Sequence, residues 1–181
     1  GLSRPHMPYK GLIMAILISP MIVPLIITAA GMFFFYARIN LVYTFTGVIL
    51  AHVALATPFV VITVTATLVG FDMNMVKAAQ SLGAKPMRTF FKVIMPLILP
   101  GIISGALFAF ITSFDEVVIV MFMASIDQLT IPKQMWAGIR QEISPVILCM
   151  ATCLVLLSIF LLTTVELLRR RSEKLRGIKA R

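Results

Sequence analysis

The segment Lys77–Pro96, KAAQSLGAKPMRTFFKVIMP, decides how this chain is read. It is polar and basic, and it lies between two long apolar runs. Its own pattern predicts two short helices meeting at an angle and standing out of a bilayer. Met75 to Leu82 holds good helix formers, with Val76, Ala79 and Leu82 spaced for one face. Gly83 accepts a positive φ and so ends the first helix. Pro86 suits the first turn of the second, where its missing N–H loses nothing. Asp72 and Asn74 precede the first helix as its cap region. Met87, Phe90, Phe91 and Ile94 then offer apolar surface flanked by Arg88 and Lys92, and an exposed patch of that kind implies a partner.

The flanks of this segment give the fold class. Four runs, approximately Gly11–Tyr36, Leu41–Val69, Leu97–Phe122 and Val146–Leu168, contain no Lys or Arg. Each can cross a hydrocarbon core of roughly 30 Å, which takes about 20 helical residues. The runs are continuous rather than alternating, so helices and not barrel strands are expected. Hydrophobic residues make up 60% of the 181, and the mean hydropathy is +1.02. Soluble domains hold roughly 45–50% apolar residues. The expected class is an all-α integral membrane protein with four transmembrane helices.

Charge placement orients the spans. Of the 16 Lys and Arg residues, thirteen fall on one set of alternate sides and three on the other. The positive-inside rule puts the thirteen in the cytoplasm. Both termini and the Lys77–Pro96 loop are then cytoplasmic. The net charge of +9 therefore reads as membrane topology and not as nucleic-acid binding. The basic tail, residues 169–181, is expected to lie beside anionic headgroups, worth about 1 kcal/mol per basic residue near the surface. Glu166, beside three arginines, is expected in an interfacial ion pair.

Within the spans, Pro20 and Pro24 predict a bent first helix. Pro58, Thr57, Thr63, Thr65 and Thr67 mark the second, as a polar path or as interhelical glue. The third is expected to open at Pro96, with Gly101 and Gly105 allowing close helix approach. His52 reads as a hydrogen-bonded packing residue. Cys149 and Cys153, four apart, read as small packing residues and not as a metal site. The segment Met123–Pro145 predicts a short amphipathic helix along the outer surface, with Trp136 at the interface.

The order and spacing within Lys77–Pro96 resemble the cytoplasmic loop of inner-membrane permease subunits of bacterial ABC importers of the binding-protein-dependent type. That family pattern reads Glu-Ala-Ala, three residues, Gly, nine residues, Ile-x-Leu-Pro. Ala78, Ala79, Gly83 and Pro96 fall in register, and Val93 and Met95 stand at the Ile and Leu positions. Lys77 stands at the Glu position and reverses its charge. The resemblance implies that the loop, residues 72–96, grips a groove on an ATPase subunit, through Ala78, Ala79, Leu82, Gly83, Phe90, Phe91 and Pro96. It also implies two cytoplasmic ATPase subunits, a second permease subunit (homologue or copy) and an external solute-binding protein, in the bacterial inner membrane. The chain has no G-x-x-x-x-G-K-[ST] phosphate loop, so ATP and Mg are expected on the partner, with no cofactor bound directly. Such subunits usually carry six spans. The four here match the last four, so residues 1–181 are expected to be one permease domain, incomplete at its N-terminus.

Asp115 and Glu116 fall inside the third apolar run, and intramembrane acids are costly and usually functional. The string Thr112–Val118 resembles a stretch of spermidine/putrescine permeases, whose Ser-x-Asp-acid pattern maps onto Ser113, Asp115 and Glu116. Leu129–Pro132 and Ile143–Pro145 resemble the external segment of the same type. A path for a small organic cation, a polyamine, is what this resemblance implies. The acids could instead cap the span at the outer interface or pair with a partner subunit. The substrate could also be an opine or a metal complex. A different class, an ion-gradient-driven secondary transporter or channel, would use the same acids as proton or ion sites. No nucleophile–base pair or metal-ligand cluster supports an enzyme.

Overall fold

The computed structural model describes residues 2–3, 7–141 and 145–175. Among them, all regular structure is helical and no strand forms. Helices α1 (Lys10–Ile22) and α2 (Leu25–Arg38) lead into α3 (Phe45–Val69) and the short α4 (Met73–Ser81). A long α5 (Pro86–Phe114) follows, then the one-and-a-half-turn α6 (Val118–Met123), α7 (Ile131–Gln141) and α8 (Pro145–Leu175). Three helices, α3, α5 and the Pro145–Thr164 part of α8, are long and apolar enough to cross a membrane, and α1 with α2 make a fourth if taken together.

The first expected span is broken, not merely bent. Its halves meet at 109°. Pro24 forces the residue before it out of the α region, and Val23 is extended at φ −73° and ψ 135°. The helix therefore stops at Ile22 and restarts after Pro24. Each half, of 13 and 14 residues, is about 20 Å long, short of the roughly 30 Å core.

The third span also differs. It does not open at Pro96, because α5 begins at Pro86 and runs through Pro96 and Pro100. Pro96 cannot donate to the carbonyl of Lys92, which would interrupt an ordinary ladder. Just before it the helix widens into a π turn, Phe90–Ile94, and the Met95 N–H reaches back to the Phe90 carbonyl. The expected pair of short helices is thus one short helix and the first turns of a long one. At its other end the span stops at Phe114, with Asp115 as C-cap. Residues 115–117 separate it from α6.

The packed centre lies where α2, α3 and α6 meet. Ala29, Ala51, Leu55, Ile119 and Met123 are buried together, with Phe33, Tyr36 and Phe122 against them. The chain closes this region at Tyr43, whose N–H bonds to the Met123 carbonyl at 2.9 Å. Helix α3 packs along α5 through small residues. A side chain at Gly101 would strike Thr67, and one at Gly105 would strike Thr63 and the Val60 Cα. The hydroxyls of Thr57, Thr63 and Thr67 bond back to carbonyls of their own helix at 2.7–2.9 Å. Thr63 and Thr67 join the helices by contact, and among the described residues none of the three hydroxyls bonds across to another helix. Cys149 and Cys153 are exposed on α8 rather than packed, since the Pro145–Thr164 stretch buries nothing. Glu166 pairs with Arg170 at 2.8 Å, as expected. Residues 142–144 and 176–181, part of the external segment and of the basic tail, lie outside the described residues.

Candidate functional site

Helix α5 carries a candidate station at each end. With 29 residues it is about 43 Å long, roughly 13 Å more than a hydrocarbon core. A knuckle made with α4 sits at its start, and a cavity lined by its last turn sits at its finish.

The knuckle is built by local rules. Asp72 caps α4, accepting from the Asn74 N–H at 2.9 Å. The helix ends on a Schellman turn. The Gly83 N–H bonds the Gln80 carbonyl at 2.9 Å and the Ala84 N–H bonds the Ala79 carbonyl at 3.0 Å. Gly83 takes φ +79°, which L side chains adopt only under strain. Lys85 and Pro86 then start α5. Val76 and Ala79 are half-buried, but Leu82 is 89% exposed. Leu82 is the C-cap, where the helical spacing that put it on their face no longer applies. Met87 and Phe91 are exposed beside it, and Phe90 meets Phe91 edge-to-face at 5.1 Å. Ala78 and Lys77 are exposed, and Pro96 lies exposed a few turns up α5. Thr89, unremarked in the sequence, is the buried residue of the second limb.

At the far end the three candidate path residues separate. Ser113 and Glu116 line one cavity, of 520 Å³, with Val48, Ile49 and His52 of α3. Asp115 lines another, of 540 Å³, between α5, α7 and α8, together with Trp136. Phe110 and Phe114, stacked at 5.3 Å, border both and form the wall between them. Glu116 is buried, and its Oε1 accepts from the Ile119 N–H at 2.7 Å. It thus caps α6, the element after the span, whereas capping of the span itself was one expectation. The same bond explains the break, since a carboxylate folded onto the next N–H groups competes with a continued helix. Ser113 Oγ lies 2.8 Å from His52 Nδ1. The expected hydrogen-bonded character of His52 is therefore present, but in a cavity wall and not in packing alone. Sequence spacing could not pair it with Ser113, 61 residues away.

Comparison with known proteins adds to this geometry. Residues 3–174 match the family described as "Binding-protein-dependent transport system inner membrane component". The chain is similar to the spermidine/putrescine transport system permease protein PotC of Haemophilus influenzae, 29% identical over 164 residues, which cover 91% of this chain and 62% of that protein. To PotC of Escherichia coli K12 it is 28% identical over 165 residues, covering 91% and 61%. To the putrescine transport system permease protein PotI of the same strain it is 37% identical over 103 residues, covering 57% and 37%. The chain spans about three-fifths of the length of the PotC proteins it matches.

Proposed function

The chain belongs to the family of inner membrane components of binding-protein-dependent transport systems, and from that premise we propose that it is a permease subunit of an ATP-driven importer. It forms part of the translocation path for a small organic cation of the polyamine class, the substrate class in the names of its PotC and PotI relatives. Two cytoplasmic ATPase subunits hold the ATP and Mg, and this chain binds neither. A second permease subunit completes the pore, and an external solute-binding protein delivers the substrate. The knuckle and both termini face the cytoplasm, the side that the charge asymmetry favours.

One observation carries the reading. Leu82, Met87 and Phe91 stand exposed around Gly83, on a capped turn inside the family match. Apolar side chains held outward on a rigid turn suit a groove on a soluble partner better than open water. Because α5 runs from that turn to the cavity without a break, displacement of the knuckle would carry to Ser113 at the far end. Lys77 is exposed and makes no ion pair among the described residues, so its charge is offered to the partner. An acidic counterpart on the ATPase groove fits it.

The test uses the full-length protein in its reconstituted complex. Gly83→Val is expected to leave the complex assembled while ATP-driven putrescine uptake falls at least about tenfold, from about 1.4 kcal/mol or more of lost coupling. Uptake at the unmodified level would overturn the knuckle's role. Uptake that follows membrane potential without ATP would replace the importer with a gradient-driven carrier.

A further inference from the structure

Resting on the importer reading, we propose that His52 is a specificity-determining residue of the Ser113–Glu116 cavity, in which its neutral ring arranges acceptors for one ammonium group of a cationic substrate. Glu116 is only 6% exposed, and one of its oxygens is taken by the Ile119 N–H. Its other oxygen has no hydrogen-bond partner among the described residues. Among the described residues, no Lys or Arg lines this cavity. A buried carboxylate without a cation is unfavourable, and an entering ammonium would relieve it. The walls are apolar and partly aromatic, from Val48, Ile49, Phe110 and Phe114. They suit the methylene chain of an alkylamine, with ring faces available to its charge.

His52 decides what Ser113 contributes. With its proton on Nε2, the neutral ring accepts the Ser113 O–H at Nδ1, across the 2.8 Å contact. The Ser113 oxygen then keeps its lone pairs for a substrate N–H. Protonation reverses this bond. Nδ1–H donates to the Ser113 oxygen, the hydroxyl proton is released toward the cavity, and a positive ring lies within electrostatic reach of Glu116. The protonated ring thus removes an acceptor and competes for the carboxylate. Charges on the neighbouring elements do not substitute for it. Asp115 opens into the adjacent cavity, and Lys133 of α7 reaches the Ala124 carbonyl at 3.4 Å.

The experiment measures the concentration dependence of putrescine uptake by the full-length protein in its complex, in proteoliposomes supplied with ATP. Putrescine remains a dication between pH of about 5 and 8, because alkyl ammonium groups titrate near about 10. The half-saturating concentration of the unmodified protein is expected to rise at least about twofold on acidification over that interval, with the rise confined to its acid end. His52→Asn keeps a hydrogen-bonding group beside Ser113 but cannot titrate, and its half-saturating concentration is expected to be flat with pH. His52→Lys fixes a cation beside Glu116 and is expected to raise it at least about tenfold at the alkaline end. Glu116→Gln is expected to raise it as well. Co-purification of the ATPase with each variant reports assembly, and His52→Asn carries the test if His52→Lys does not assemble. If the unmodified complex takes up putrescine but His52→Asn keeps its pH profile, the role of His52 is refuted and the importer reading stands. If the unmodified complex shows no ATP-driven uptake, the importer reading fails and takes this inference with it.

Discussion

At residue 83 the backbone, and not the space around it, makes the demand. A Cβ there would meet nothing within 4 Å, yet φ is +79°. An L side chain in that region costs about 1–2 kcal/mol, with Asn the usual exception and β-branched residues the worst. Substitution should therefore follow backbone tolerance and not size. In the assembled complex, ATP-driven uptake is expected to fall in the order Gly, Asn, Ala, Val. If Ala were tolerated better than the larger Asn, bulk and not φ would be the determinant, and the turn would have to be read differently. The same scale explains what was legible in advance. The left-handed turn, the Asp72 cap and the Pro86 start are nearest-neighbour effects, and a sequence of some fifteen residues contains all of their causes. His52 was visible only as a lone histidine, because its partner is supplied by another helix.

At the scale of elements, α3 and α5 are joined by glycine against threonine. A methyl added at Gly105 would strike the Thr63 hydroxyl and approach the Val60 Cα at 3.2 Å. A methyl at Gly101 would strike the Thr67 hydroxyl and also meet the Thr67 Cβ at 2.8 Å. Overpacking of this kind destabilises by about 1–3 kcal/mol. Gly105→Ala is expected to lower the thermal stability of the detergent-solubilised full-length protein, and Thr63→Ala to restore most of it. Thr67→Ala should restore less of the loss from Gly101→Ala, because the clashing Cβ remains. Strictly additive effects at both pairs would show that the helices do not touch there. The element scale is also where expectation and structure part. Pro24 breaks a span because its predecessor is extended, whereas Pro96 follows a turn that has widened just ahead of it and Pro100 lies inside the same continuing helix. Proline alone does not distinguish these outcomes.

For the whole molecule, the surface is that of a protein immersed in hydrocarbon. Leu12, Ile26, Phe34, Val53, Phe108 and Phe160 are all exposed, and Pro145–Thr164 of α8 buries nothing. The proposed orientation rests on where charge is allowed, and it can be checked with one reporter. With Cys149 and Cys153 first replaced by Ala, Leu82→Cys in the full-length protein is expected to react with a membrane-impermeant maleimide in inverted vesicles and not in intact spheroplasts. Labelling from outside would reverse the orientation and remove the knuckle from any cytoplasmic ATPase. Leu82 suits this measurement because it is 89% exposed, so labelling reports sidedness and not burial.

The all-helical class, the apolar character of the runs and the Asp72-to-Pro86 turn of the knuckle were determined by the sequence itself. Hydropathy over twenty residues, charge at the ends of a run, and turn chemistry over four or five residues act locally, and the chain carries them wherever it folds. Tertiary structure alone decided that Asp115 and Glu116, adjacent in the chain, face different cavities. It also decided that Glu116 shares one cavity with Ser113 and His52, and that one continuous helix runs from the knuckle to Ser113. Those outcomes depend on where α3, α6 and α7 pack around the end of α5, and such packing is a property of the assembled helices that no single stretch of residues contains.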